Sequence, residues 1–415
     1  MELFARIDDD YLYWDKVKYM VIPGISPMVL WGAVKLRRSI NVVNLQFGKY
    51  RFHFTITSAM QSLLHELDMA FVGGFDSESV IPQKERNQYL ASSLMEEAIA
   101  SSQMEGASTT RRVAKDMLRK QMKPRDKSQQ MIVNNYATIK YLVEHRQNKL
   151  TIDYLKEIHR SISKNTLTDP EYEGRCRKDD NILVMNDITG EIVHMPPKAD
   201  ELEALLGELC DFANEDSGAT FIHPIVKGII IHFMLAYFHP FVDGNGRSSR
   251  SLVYWYLLKK GYWLTEYLSI SRIIYKSKSQ YEKSFLYTEC DGLDLSYFIR
   301  YNLKAMKRAY DDLKAYLRKK SNEQQLLASI IGVAGINERQ SQVVKILDDE
   351  PNHIITTNEL VARFCVTPKT ARADLKHLAS LGLLVERPLN NRKLCYVRSA
   401  DFYDALAKLG KGSND

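Results

Sequence analysis

Residues 239–250 read HPFVDGNGRSSR, and their types and spacing suit the handling of a phosphate ester. His239 is a candidate proton acceptor near neutral pH. Asp243 is a carboxylate that bare phosphates would repel unless a hard cation such as Mg2+ bridges the two. Gly244 and Gly246 flank Asn245 in a turn that can aim consecutive amides at an anion, because glycine tolerates positive φ and close approach to its backbone. Arg247 and Arg250 lie three apart, so on a helix they share a face and can clamp neighbouring phosphate groups by forked hydrogen bonds. Each piece alone has a plainer reading as a structural histidine, a turn or a solvated face. Their conjunction in one short stretch is what points to chemistry.

Two elements must position that stretch. The preceding run carries Ile229, Ile230, Ile231, Phe233, Met234, Leu235 and Phe238, apolar nearly all round, which predicts a buried helix ending near His239-Pro240. Past the glycines, Leu252, Val253, Tyr256 and Leu257 mark a second helix that starts at about Gly246 and stops near Gly261. The polar residues therefore form a helix-to-helix loop, and the positive end of the second helix dipole adds to their attraction for anions.

The stretch resembles the Fic-domain signature H-x-F-x-D/E-G-N-G-R-x-x-R at every specified position. The resemblance implies a mainly α fold: a helical core with a small β-hairpin flap and, for most members, transfer of AMP from ATP to a Ser, Thr or Tyr hydroxyl of a target protein. It implies that His239 deprotonates that hydroxyl and that Asp243 holds Mg2+. Asn245 with the Gly244 and Gly246 backbone would cradle the phosphates, and Arg247 and Arg250 would bind the β and γ phosphates. Phe241 fits as a core anchor for the loop.

Upstream, 82–106 predicts one long helix with Gly106 as its C-cap. Glu105 then lies at the negative end of the helix dipole, a mildly unfavourable place that hints at a cationic partner. The segment resembles the inhibitory motif S/T-x-x-x-E-G/N of many Fic proteins through Ser101, Glu105 and Gly106. That resemblance implies that Glu105 pairs with Arg250 and blocks productive seating of the γ phosphate.

In chain order, 1–85 reads as an N-terminal helical region with helices at 26–38 and 57–72, and no chemistry is assigned to it. Residues 107–165 continue as helices, of which 110–122 is strongly basic. Between 166 and 197 the helical pattern breaks, and 181–184 and 192–195 around the turn 186–190 predict a hairpin. The Fic resemblance implies that this flap, 181–195, docks the target protein. Further helices are predicted at 201–214, 271–290 and 295–319. Tyr281 stands where relatives carry an aromatic near the adenine, with helix packing as the alternative.

The C-terminal region has the pattern of another domain. Thr356 with Glu359 offers a capping box, Thr367-Pro368 begins a second helix that Gly382 stops, and 383–387 and 393–397 pair as a wing. This is a winged-helix pattern. DNA is a candidate partner through 357–397, with Lys369, Arg372, Lys376, Arg392 and Lys393 meeting phosphates and groove edges. A protein-contact role is the alternative, since Asp374 and Glu386 balance these charges. The domains expected are 1–85, the Fic core 86–320, a linker 321–338 and the winged helix 339–415.

The 415 residues, 45% hydrophobic and 26% charged with net charge +6, fit a multidomain globular protein and permit nucleic-acid contact without requiring it. Five scattered cysteines indicate neither a zinc site nor a disulfide framework and fit a reducing cytoplasm. Nothing in the sequence reads as a signal peptide or membrane span. Self-association into a homodimer is left open. Two alternatives stand beside the AMP transferase: a DNA-binding regulator with a nucleotide-sensing Fic core, and a Fic enzyme that removes AMP. A sensor needs the anion nest but no base, so His239 favours an enzyme.

Overall fold

The computed structural model describes residues 2–72, 86–185, 190–215, 220–330, 336–390 and 393–411. Gly73, Gly74, the first residues of the helix expected at 82–106, the turn 186–189 and Arg392 lie outside them. The chain forms two compact units, Met1–Leu313 and Lys314–Asp415.

The first unit is mainly helical around the buried helix Pro224–Phe238, which packs against Asn245–Lys259 and is joined to it by the motif loop. Ile229, Ile230, Ile231, Phe233, Met234 and Leu235 are wholly inaccessible. A helix apolar on all sides has neighbours on all sides. The long helix Arg86–Met104 and the helices Lys127–Glu144 and Ile152–Ser163 complete the surround of the loop.

Local chemistry sets the element ends. Ser26 and Thr57 cap Pro27–Arg38 and Ser58–Phe71 by accepting Val29 and Met60 amides. The helix leading to Glu105 ends at Met104, so Glu105 and Gly106 form the turn beyond it rather than its last residues. The helix expected over 271–290 is two helices, Ile270–Lys276 and Lys278–Cys290. The chain breaks at Ser277 (φ −127°, ψ 36°), whose hydroxyl meets Ile273 O at 2.9 Å and the Tyr301 hydroxyl at 2.7 Å. A serine that bonds its own preceding turn competes with the helix ladder.

An antiparallel hairpin, Val43–Phe47 with Tyr50–Phe54, was not anticipated. Its signal is the alternation that buries Phe47, Phe52 and Phe54 around Gly48-Lys49. The flap is a short antiparallel pair, Val184–Met185 with Ile192–His194.

The second unit contains the later part of the helix Ser296–Ile330, then Glu338–Asp349, Thr357–Phe364, Pro368–Ser380 and a three-stranded sheet in the order Ile355–Thr356, Lys393–Arg398, Leu384–Asn390. Helix, turn, helix and wing are present as expected, joined by a final helix Phe402–Lys411 that seals the core with Phe402 and Leu406. Thr356 caps its helix through the Glu359 amide, but the Glu359 carboxylate pairs with His353 at 2.8 Å instead of closing the box. Among the described residues no helix is long and apolar enough to cross a membrane.

Candidate active site

The buried helix ends where His239 turns left-handed, at φ 47° and ψ 55°. A non-glycine residue there costs conformational energy, and such positions occur at functional turns when the surroundings hold them. The His239 Nδ1 lies 3.2 Å from Ala236 O. A carbonyl can only accept, so Nδ1 carries the hydrogen and Nε2 keeps its lone pair. Burial pushes the imidazole down to about 4, so it is neutral at pH 7 and ready to take a proton.

Arg177 holds this turn. Its Nε donates to His239 O at 3.1 Å and its amide to Pro240 O at 2.8 Å. The rest of the buried guanidinium reaches Pro197 O, and Asp179 O at 2.8 Å. One side chain thereby joins the histidine turn to both flanks of the flap segment. In sequence it is one arginine of a polar run, and nothing local marks it.

His159 does the same for the loop floor. Its ring stacks on Phe241 with centroids 3.7 Å apart and planes 3° apart. Nδ1 accepts the Gly174 amide at 3.1 Å, leaving Nε2 to donate to Asp243 O at 2.8 Å. Burial keeps it neutral, with a pKa of about 4. Asn245 completes the loop by bonding both backbone groups of Phe241, at 2.9 and 2.7 Å. Its side-chain amide is thus engaged in shaping the loop, with its backbone at the start of the helix.

Gly244 sits at φ 91°, a conformation that favours glycine. Asp243 Oδ1 takes the Gly244 amide and lies 3.4 Å from Arg247. Its Oδ2 has no partner among the described residues, and the side chain is 40% exposed. Arg247 is fully buried and bonds Ile162 O at 3.2 Å, with its Nε unpartnered. Burial lowers its pKa. A buried cation only loosely paired to one carboxylate is suited to receive an anion.

Arg250 is 4% exposed and is met from the other side of the loop. It donates to Ser101 Oγ at 2.9 Å, to Ser101 O at 3.0 Å and to Glu105 Oε1 at 2.8 Å. Burial pulls its pKa down, and Glu105 more than offsets this. A Cβ added at Gly246 would overlap the Glu105 carboxylate. The group lying over this glycine, at the first turn of Asn245–Lys259, is therefore an anion supplied by the chain itself. That is where a helix N-terminus favours negative charge.

Tyr281 is buried with its hydroxyl 2.9 Å from His232 Nε2, among Phe285, Phe298 and Tyr301. This is the helix-packing alternative. On the flap, His194 reaches Tyr237 O at 2.7 Å and Glu289 at 2.8 Å, while Leu183, Met185, Ile192 and Met195 stay exposed.

The buried neutral histidines make acid stability a measurable property. His159 and His232 titrate near 6.5 when unfolded but at about 4 and about 3 in the fold. The unfolded chain binds more protons below pH 6.5, so their contribution is complete above that pH and is lost as pH falls toward 4. The shift is worth about 3 kcal/mol for His159 and about 5 kcal/mol for His232. The urea midpoint is expected to fall between pH 7 and pH 5, and by less in His232→Gln. Equal midpoints at both pH values would contradict the assignment.

A glycine turn at a helix N-terminus, two buried guanidiniums and a neutral imidazole thus fall within one loop and the helix that follows it, an arrangement chemically suited to anionic groups. Residues 149–257 match the sequence profile of the Fic/DOC family, and 339–391 that of the DeoR-like helix-turn-helix domain. The chain carries a Fic/DOC-family domain followed by a DeoR-like helix-turn-helix domain. The protein adenylyltransferase Fic of Drosophila willistoni is 31% identical over 114 residues, covering 28% of this chain and 21% of the relative. That of Nematostella vectensis is 27% identical over 172 residues, covering 41% and 35%. The chain thus spans about a fifth to a third of the length of these curated relatives. Among solved structures, a Fic family protein from Desulfovibrio desulfuricans superposes with a TM-score of 0.54 at 18% identity, over 83% of this chain and 97% of that one. Fic-1 from C. elegans gives 0.50 at 19% identity, over 77% and 84%. At these identities the shared property is the fold.

Proposed function

We propose that the chain is a protein adenylyltransferase that moves AMP from ATP to a Ser, Thr or Tyr hydroxyl of another protein, and that Glu105 restrains it. The observation that carries the reading is the pairing of a neutral His239, with Nε2 unprotonated, and an anion site whose second arginine is occupied by the chain's own carboxylate. His239 Nε2 takes the hydroxyl proton as the oxygen bonds to the α phosphorus. The bond from that phosphorus to the pyrophosphate oxygen breaks, and pyrophosphate leaves. Arg247, Arg250 and the first amides of Asn245–Lys259 stabilise the phosphate charge.

Asp243 fits a Mg2+ partner, because its Oδ2 is uncommitted and its side chain is partly exposed beside the loop. A cation held there would offset phosphate charge. The target segment would lie along the flap as an added strand, beside the exposed Leu183, Met185, Ile192 and Met195. The decisive experiment is incubation with Mg2+ and α-labelled ATP followed by intact mass, for the wild type and the variants argued in the Discussion.

We further infer that the second unit contacts DNA. Lys369, Arg372 and Lys376 are all exposed on Pro368–Ser380, at spacings that share one helix face. Asp374, the acid that would oppose them, points inward and accepts from Asn337 at 2.9 Å, Arg339 at 3.0 Å and Gln340 at 2.9 Å. Binding to a random-sequence duplex is expected to weaken with salt. Arg372→Ala should reduce the log–log salt slope by about one. A slope unchanged by Arg372→Ala would remove this helix from the contact.

A further inference from the structure

A second concave site lies within the first unit, built by residues that the phosphate loop does not use. It is a cavity of about 370 Å3 between the end of the helix Glu2–Asp10, the Tyr13–Lys16 segment, the helix Lys278–Cys290 and the first half of Ser296–Ile330. Its size falls in the range of small-molecule sites, roughly 300–1,000 Å3.

Its charge is unbalanced. Lys16, Lys283, Arg300, Lys304 and Arg308 line it, against Asp10 and Asp15. Asp10 is shared, accepting from Arg300 at 2.5 Å and from Lys304 at 3.2 Å. Asp15 is engaged by the Tyr287 hydroxyl at 2.7 Å. Arg300, Lys304 and Arg308 follow one another at four-residue spacing on one helix, so like charges stand on successive turns. Lys304 registers this: burial first, and then the Arg300 charge, lower its pKa even with Asp10 in contact. Among the described residues, no side chain bonds Lys16, Lys283 or Arg308.

The remaining wall is aromatic. Tyr13 and Tyr287 stack at 4.4 Å and 21°. The Tyr11, Tyr287 and Tyr301 hydroxyls are committed to Asp294, Asp15 and Ser277. What they present to the cavity is ring surface, and the polar groups left for a ligand are mainly cationic. Flat apolar walls with an excess of ammonium and guanidinium groups complement a ring that carries a phosphate.

We propose that this cavity binds an aromatic phosphate ester of mononucleotide size, with its ring against Tyr13 and Tyr287 and its phosphate among Lys283, Lys304 and Arg308. The site is separate from the motif loop and does not depend on the AMP-transfer reading. The test uses the full chain, 8-azido-AMP as photoprobe, and peptide mapping by mass spectrometry, which reports the two sites on different peptides. Label is expected on peptides containing Tyr13 or Tyr287, competed by AMP and by inorganic phosphate more effectively than by adenosine. Lys283→Glu/Arg308→Glu should reduce that label at least tenfold while leaving the melting temperature and any motif-loop label unchanged. Both substituted side chains are exposed, so folding is preserved. Absence of label on those peptides overturns the proposal, as does label that survives charge reversal. Equal competition by adenosine overturns the phosphate half of the assignment.

Discussion

Glu105→Gly is expected to raise AMP incorporation about 10- to 100-fold over the wild type. The Glu105 carboxylate lies over Gly246 and takes an Arg250 hydrogen at 2.8 Å, where the ATP phosphates would otherwise seat. A hydrogen bond between charged groups contributes about 1.5–3 kcal/mol, and each 1.4 kcal/mol is tenfold in an equilibrium. ATP that must displace the carboxylate binds only the released fraction, so its apparent affinity falls by that fraction. Removing the carboxylate should therefore lower the apparent KM for ATP by this factor. The same change removes the carboxylate that pairs with buried Arg250, so the ligand-free variant should be less stable than the wild type and regain stability with Mg-ATP. Glu105→Gln, which keeps the bulk and loses the charge, should fall between. If Glu105→Gly and the wild type show equal KM for ATP and equal labelling, the carboxylate is a structural partner of Arg250 and not a restraint.

His239→Ala placed in the Glu105→Gly background should lower the rate of AMP incorporation about 10²- to 10⁴-fold, the usual range for loss of a general base. ATP binding should change little, because Arg247, Arg250 and the helix amides remain. The effect should fall on kcat and not on KM, since the histidine acts on the hydroxyl as it attacks. With its pKa at about 4, the base is available from neutral pH down to mild acid. The acid limb of the pH–rate profile should lie near pH 4 and vanish in His239→Ala. A double variant that labels as fast as Glu105→Gly would sink the assignment of the base. Arg177→Ala offers a complementary case: it leaves the imidazole and the backbone bond to Pro240 O in place but frees the His239 carbonyl and unties it from Asp179 and Pro197, so kcat should fall by less than in His239→Ala.

The legible part of the site was the part written contiguously. His239, Asp243, Gly244, Asn245, Gly246, Arg247 and Arg250 share one loop and one helix turn, and the apolar run before them could bury itself only as a core helix. Their number and order constrain geometry directly, because a helix places residues three and four apart on the same face. Glu105 was visible through a short motif and an unfavourable helix end. The winged-helix pattern was likewise local: Thr367-Pro368 opens a helix and Gly382 closes it. Missed elements had weak or ambiguous local signals. The hairpin Val43–Phe54 alternates over only a few residues, and the break at Ser277 depends on a hydroxyl meeting Tyr301 from a distant helix.

By itself, then, the sequence determined the parts of the candidate site, the helices that flank it and the presence of a second, winged unit, since these rest on periodicity, caps and residue type. The tertiary structure alone decided which groups meet across the chain. Arg177, some sixty residues away from the turn it holds, bonds the His239 carbonyl, and His159 stacks on Phe241 and fixes the Asp243 carbonyl. It also decided that Asp374 turns inward, leaving a basic helix face, and that Glu105 comes to rest on Gly246. Burial sets the protonation of His159, His232 and His239, and burial is a property of the packed molecule that no local spacing encodes.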